Sequence, residues 1–592
     1  MKKTWMKKIL HALLFIAKTV MKFLLDAWPF IATAVMLTVI QAPINWGFLA
    51  WVSFVPFILA CSPDTKPRRL FLITYIVSLF YWLGNLYWIF PITKVGWLTF
   101  CFYTALLWPI LALLLRYCRA KKVPLFLVSA VFIVGIERMQ GLFMGRFFWR
   151  FLAHSQYQNI TIIQMVDLFG TAGLSLLIAM VNGVLAELIL AIKNKNFLKI
   201  TLFLKTALVC CAVAGTVIYG RWRIGQEEQC IEPGPYVASL QSNVPQSVKR
   251  SFKSGEDLFN GLMEQSKAAV EAKADLIVWP ETMVQATLNP DVLRIVKSYN
   301  PLHLSVIFDQ KLKEHAKDNA FLLVGAYGAK IGYDKDSNPY LAENYNSAFL
   351  YKNNGEKAPQ TYSKIHLVPF GEVLPLRRRM AWFYELLMKI KFIPYNYDYS
   401  LDAGTEYTVF EMADPNKNYD YKFSVMICYE GTVPEIARRF ALDENGKKKI
   451  DWIVNISNDG WFVRFKEEKV LPSTELPQHA AVCAFRAVEN RLPIVRSVNT
   501  GISCFIDSAG RIRDGYLAGT LPPDAMSRMG MPGWILDRIY IDKRITFFSK
   551  YGEWLGFCCE LCLILPIIVP LSVRLYRKIK YRTRSLGLPN GT

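Results

Sequence analysis

The chain has 592 residues, 53 % hydrophobic and 14 % aromatic, with a formal net charge of +22 at pH 7. It is too long for one ordinary domain and its apolar residues are unevenly spread, which excludes a wholly soluble single-domain protein. The basic residues fall in short clusters between apolar runs, with no basic stretch interleaved with aromatics; this excludes nucleic acid as a partner and suits the anchors of a membrane protein.

Residues 1–27 begin with Lys2, Lys3, Lys7 and Lys8, and the apolar run from Ile9 to Leu25 carries Lys18 and Lys22. With Lys8 and His11 these fall near one face at helical spacing, so the segment reads as a basic amphipathic helix at the membrane interface. A signal peptide is the competing reading, but no small-residue cleavage site is visible.

Residues 28–220 hold seven apolar stretches, near 28–43, 47–62, 70–90, 97–115, 123–137, 166–191 and 200–219. An eighth lies within 549–575. Several fall short of the ~20 residues a crossing helix needs. Basic residues mark alternate loops: Lys66, Arg68 and Arg69, then Arg116, Arg119, Lys121 and Lys122, then Lys193, Lys195 and Lys199. The tail, 576–592, is basic too, with Arg577, Lys578, Lys580, Arg582 and Arg584. The positive-inside tendency then puts both termini in the cytoplasm and the large segment before the eighth span outside it.

Between the fifth and sixth stretches, Met139 to Gln158 is rich in Phe, Trp and Arg, which suits the headgroup layer. The plain reading is an interfacial anchor. The sharper one has Glu137, Arg146 and Trp149 forming a lipid entrance.

Residues 221–548 have ordinary globular composition. Short apolar runs such as Val237–Val244, Leu276–Pro280, Phe321–Tyr327, Lys422–Ile427, Trp452–Ser457 and Ile494–Val498 predict strands. They alternate with helical stretches, Gly255–Ala272 and Leu476–Glu489 among them, which implies a layered α/β sheet. This part has no CxxC pair, so neither a zinc site nor a dense disulfide framework is expected. Cys230, Cys483 and Cys504 leave a disulfide open. Arg486, Glu489 and Arg491 read as an ion-pair group at a helix end.

The predicted strand Phe423–Ile427 ends at Cys428, followed by Tyr429 and Glu430. Leu276–Pro280 ends at Glu281, and Lys364 and Glu372 stand in a Pro/Gly-marked loop. A cysteine attacks as its thiolate, a carboxylate can take its proton, and a lysine can steady charge on an attacked carbonyl. Taken singly, each has a plainer reading: an inert buried thiol, a turn acid, a solvated lysine. His366 and His479 would allow a Cys-His pair instead, but Glu281, Lys364 and Cys428 make the more complete set.

Trp279-Pro-Glu281, Lys364 with Pro369-Phe-Gly-Glu372, and Cys428-Tyr-Glu430 resemble the three motifs of the nitrilase superfamily, as do Asn455-Ile-Ser-Asn-Asp-Gly-Trp-Phe462 and Arg496-Ser-Val-Asn-Thr-Gly501. With the apolar spans before the domain and one after it, the chain resembles the superfamily's membrane-embedded branch, the apolipoprotein N-acyltransferases. The resemblance implies a bundle of about eight transmembrane helices carrying an extracytoplasmic α-β-β-α sandwich. It implies a catalytic triad of Glu281, Lys364 and Cys428, with Glu372 and Glu430 as supporting acids and Tyr429 beside the nucleophile.

The implied activity is ping-pong acyl transfer from a membrane phospholipid, through a thioester on Cys428, to the diacylglyceryl-cysteine of an apolipoprotein, in the bacterial inner membrane and without metal or dissociable cofactor. A membrane-tethered amidase, or transfer to another amine, stays open. The wording departs from the family's at Arg250, at Gly145-Arg-Phe-Phe-Trp149 and in the additional basic N-terminal helix.

Overall fold

The structure is a computed structural model that describes residues 2–142, 145–195, 199–244, 252–373, 382, 385, 400–413, 420–466 and 469–565. Arg250 and the basic tail at 576–592 lie outside the described residues. Among the described residues, four helices are long and apolar enough to cross a membrane: Met21–Val39, Lys94–Ala120, Val166–Lys193 and Ile200–Gly225.

The expected division between an interfacial helix and a first span is not kept. Lys2–Val39 is one helix of 38 residues. The helix runs on through Pro29 beside the expected boundary, and Asp26 is tied to Arg69 by an ion pair that holds this part of the helix against its neighbour.

The second apolar stretch is bent. A 3₁₀ turn at Gly47–Trp51 leads to a short helix at Val55–Ala60. Broken backbone at such depth needs side-chain partners. Asn182 supplies them: its Oδ1 accepts from Phe54 N at 2.7 Å and its Nδ2 donates to Ala50 O at 2.9 Å. Further helices run Pro67–Asn85 and Leu125–Met139, and an apolar helical segment is described over Trp554–Leu565.

The remainder is a two-sheet α/β domain. Its strands are β1 (Ile231–Gln241), β2 (Leu276–Val278), β3 (Val284–Thr287), β4 (Phe321–Tyr333), β5 (Pro339–Tyr351) and β6 (Lys357–Ser363). Then follow β7 (Phe410–Met412), β8 (Tyr421–Ile427), β9 (Trp452–Asn458), β10 (Arg464–Lys466) and β11 (Lys469–Leu471). The last are β12 (Ile494–Asn499), β13 (Cys504–Ile506), β14 (Ala518–Gly519) and β15 (Gly533–Asp542). One sheet runs β14-β15-β1-β2-β4-β5-β6, with β3 beside β4; the other runs β13-β12-β9-β8-β7.

Side chains in the short parallel strands alternate faces, as the pleat requires. Leu276, Val278 and Leu323 point into the shared core with Phe423, Val425 and Val454 of the other sheet. Ile277, Leu322 and Val324 point the other way, onto Phe259, Leu262, Phe308 and Leu312 of the covering helices Phe252–Glu271 and Leu304–Ala316. Pro434–Ala441 and Glu475–Asn490 cover the second sheet. The order is helix, sheet, sheet, helix.

Arg486, Glu489 and Arg491 reach beyond one helix end. They join the α/β domain to the membrane helices. Asp167, buried at the start of Val166–Lys193, accepts from Tyr219 Oη at 2.7 Å, Arg223 Nε at 2.8 Å and Arg491 Nη2 at 2.6 Å. Glu489 Oε1 accepts from Arg486 Nη2 at 2.6 Å and from Thr171 N at 3.0 Å. Removing one partner of a buried pair strands the other's charge, at a cost of about 3–5 kcal/mol. Asp167→Asn is expected to lower the unfolding temperature of the detergent-solubilised protein and to speed protease cleavage between the two halves, read by a melting curve and a digestion time course.

Candidate active site

Cys428 stands where β8 turns into a 3₁₀ turn at Cys428–Thr432, with φ +54. A left-handed backbone is uncommon for a residue with a Cβ, and such strain gathers where geometry serves a site. Asn455 Nδ2 supports this turn, donating to Met426 O at 3.1 Å and Cys428 O at 3.3 Å.

Glu430 fixes the turn from behind. Its Oε2 accepts from Ile427 N at 2.7 Å and Tyr362 Oη at 2.8 Å, and its Oε1 from Ile365 N at 2.7 Å and His366 N at 2.9 Å. One buried carboxylate thus ties the end of β8 to the segment just after β6, where Lys364 sits. Burial raises its pKa, while these backbone donors work the other way.

Lys364 lies between two acids. Its Nζ is 2.8 Å from Glu372 Oε1 and 3.4 Å from Glu281 Oε1, and the residue is 1 % exposed. Burial disfavours the ammonium, but the Glu372 and Glu281 carboxylates outweigh it and hold the lysine above its ordinary value. Glu281 is further held by Asn346 Nδ2 at 2.6 Å and Asn458 N at 2.7 Å. Asn346 Nδ2 also reaches Glu372 Oε1 at 3.1 Å. The Cys428 thiol is pushed well up by burial and further by Glu281, with Lys364 opposing. At rest, therefore, the sulfur keeps its proton.

Cys428 opens onto an apolar cavity. Its walls come from both halves of the molecule. Trp88, Phe100, Phe147 and Trp149 line it from the membrane side, and Val368, Phe370, Tyr429 and Phe462 from the α/β domain. Tyr429 Oη donates to Arg146 O at 3.2 Å, which closes the seam between them.

Arg146 and Trp149 line this cavity, whereas Glu137 does not join them. Glu137 lines a separate small cavity, and its Oε1 accepts from Leu152 N at 2.6 Å. Through that oxygen the carboxylate helps to hold the loop that carries Trp149. His366 stacks on Tyr429, and burial together with the Lys364 ammonium lowers its pKa to about 4, so the ring is neutral. Cys230, Cys483 and Cys504 are free thiols.

Sequence reasoning missed Asn346 as the bridge between two acids. It also missed a buried group formed by Asp459, Glu475 and His479, whose ligand-type atoms lie within 4.8 Å of one another. That spacing could hold a cation, but Arg496 Nη2, 3.4 Å from Asp459 Oδ2, already supplies positive charge there.

Residues 237–516 match the carbon-nitrogen hydrolase family, so the α/β half is a domain of the nitrilase class. Residues 33–184 match the apolipoprotein N-acyltransferase N-terminal domain. Over 534 residues the chain is 28 % identical to an apolipoprotein N-acyltransferase of Geobacter metallireducens, covering 86 % of this chain and 88 % of that one. It is 25 % identical to apolipoprotein N-acyltransferase 1 of Treponema denticola, covering 88 % and 91 % of the two chains. With the apolipoprotein N-acyltransferase of Thermotoga maritima it shares 26 % identity over 92 % of each chain. The chain belongs to the apolipoprotein N-acyltransferase family.

Two outcomes follow from the geometry. Because the thiol is raised well above its ordinary value, alkylation of Cys428 by iodoacetamide should climb steadily through pH 9 with no plateau near neutrality, read by peptide mass. Asn346→Ala leaves one buried and one partly buried carboxylate short of a donor each, a loss of about 1–3 kcal/mol per group, and should slow acyl loading about tenfold or more in single-turnover kinetics.

Proposed function

We propose that this chain moves an acyl chain from a membrane phospholipid, through a thioester on Cys428, to the α-amine of the N-terminal diacylglyceryl-cysteine of apolipoproteins. The observation that carries this reading is the cavity. A nucleophile-bearing turn of a nitrilase-type domain faces an apolar space that membrane helices help to wall. A hydrolase of small amides would have no use for such walls, whereas an acyl chain needs them while its ester reaches the sulfur.

In this mechanism Glu281 takes the Cys428 proton as the sulfur attacks the ester carbonyl. The Lys364 ammonium, held by Glu372 and Glu281, steadies the negative oxygen. The C–O bond breaks, and the leaving lysophospholipid oxygen takes the proton back from Glu281. The amine of the acceptor then attacks the thioester. Glu281 takes the proton that nitrogen sheds, the C–S bond breaks, and the proton returns to the sulfur. Glu430 and Tyr429 position the nucleophile's turn, and Arg146 and Trp149 border the lipid's way in.

The same reading has about eight crossings, with both termini in the cytoplasm and the catalytic domain on the periplasmic face of the bacterial inner membrane. Two observations and one general tendency support it. Arg116 of one basic loop donates to Thr65 O at 2.8 Å and Pro63 O at 2.6 Å beside another, so these clusters share one end of the bundle. Val166–Lys193 meets the α/β domain at its Asp167 end and carries its basic loop at the other. Basic loops favour the cytoplasmic side. The domain limits that suit this arrangement are 28–220 for the first seven spans, 221–548 for the catalytic domain and 549–575 for the last span.

The test uses full-length protein in vesicles whose phospholipid carries a labelled acyl chain, with a diacylglyceryl-cysteinyl peptide as acceptor. Label should appear in amide linkage on the peptide nitrogen. Cys428→Ala should abolish transfer, and Glu281→Gln should slow it about 10²–10⁴-fold. Release of free fatty acid with no acylated peptide would contradict the proposal.

A further inference from the structure

The cavity beside Cys428 holds a feature that the triad does not use. Among its described lining residues, Arg146, Cys428, Tyr429, Glu475 and His479 carry the ionisable groups, and Glu475 supplies the one carboxylate. Glu281 and Glu372 are not among the lining residues and are occupied by Lys364 and Asn346. Glu475 is 2 % exposed, and its Oε2 has no hydrogen-bond partner within the protein. A buried carboxylate oxygen left bare at the wall of an apolar cavity is costly unless something brings it a donor.

The acceptor of the transfer reading enters the same space. It carries an α-amine whose ordinary pKa is about 7.7–8.0, so near neutrality most of it arrives as an ammonium without a lone pair. An ammonium in an apolar cavity is driven towards the carboxylate it can reach. There, exchange of one proton replaces two buried ions by two neutral groups.

We propose that Glu475 receives the α-ammonium of the incoming lipidated cysteine and takes its proton, so that the amine reaches the Cys428 thioester with a free lone pair. The proposal rests on the acyl-transfer reading above. The step balances: R–NH₃⁺ and the Glu475 carboxylate become R–NH₂ and the carboxylic acid. The nitrogen lone pair then forms the C–N bond as the C–S bond breaks, and Glu475 later yields its proton to solvent.

The groups around Glu475 suit the task. His479 Nδ1, on the same helix, is 3.1 Å from Glu475 Oε1 and 3.4 Å from Asp459 Oδ1 of the turn after β9. Arg496 of β12 pairs with Asp459 from behind. Across the cavity stand Arg146, bound to Glu560 at 3.0 Å, and Cys428 and Tyr429. Burial, then the Asp459 carboxylate, raise Glu475 to about 7, while the His479 and Arg496 cations pull the other way. It is therefore ionised above neutrality and able to hold a proton just below it.

The experiment separates the two half-reactions. Full-length Glu475→Gln protein is first incubated with phosphatidylethanolamine vesicles, and acyl loading of Cys428 is read by intact mass. Loading should stay within about twofold of the parent. A diacylglyceryl-cysteinyl peptide is then added and decay of the acyl-enzyme followed against pH. The parent's rate should rise through an inflection near pH 7. The variant should be slower at pH 7 by about tenfold or more and should catch up as pH passes the amine's own value of about 8. A loss equal at every pH, or no loss at all, would overturn the proposal. If Glu475→Gln does not load, Glu475→Asp decides: it keeps a carboxylate and should keep the inflection, and its disappearance would overturn the proposal. Failure of the parent itself to load would instead overturn the acyl-transfer reading.

Discussion

A charge buried in a dry site persists only where partners hold it, and the Lys364 ammonium is held by Glu372 and Glu281. Much of the site follows from that constraint. Asn346 adds a second donor to each of those acids, at the same Oε1 that faces the lysine, and one amide on β5 reaches both. Glu430 is needed because the lysine must stay opposite a thiol on another strand, and its four donors come from both strand ends. The sulfur itself is held in its neutral form by burial. A thiolate need exist only when an ester carbonyl is in place to receive it.

The second constraint is the seam. Polar contacts from Asp167, Gln164 and Thr171 to Arg491 and Glu489 hold the α/β domain on the helices. Gln478 adds another link, accepting from Trp149 Nε1 at 2.7 Å and donating to Ala42 O at 2.8 Å. With the halves fixed so, Trp88 packs edge-on to Phe462 with ring centroids 5.1 Å apart, and the cavity gains walls from both. The site is thus shared between the two halves.

How much of this was legible in the sequence varies with the kind of signal. β8 and the Cys428 turn announced themselves, since an apolar run stopped at a nucleophile. Glu281 and Lys364 could be picked out by chemical type beside strands and turns, and the structure brings them within 3.4 Å of each other. Polar edge strands were silent: β6, with Pro359 and alternating polar residues, has no apolar run to betray it. The unbroken Lys2–Val39 helix was missed because its charge pattern changes where its backbone does not. Asn346 and Glu475 had no local signature, since their importance comes from contacts across the fold. Glu137 showed the opposite fault: a conspicuous acid near an aromatic loop proved to be the support of that loop.

The central claim is that the phospholipid's acyl chain rests on Cys428 between two chemical steps. The most direct measurement is the intact mass of the purified protein after incubation with phospholipid and no acceptor. The account predicts a mass increase of one acyl chain that maps to Cys428 and is removed by neutral hydroxylamine. An unmodified protein whose Cys428 still alkylates would contradict it.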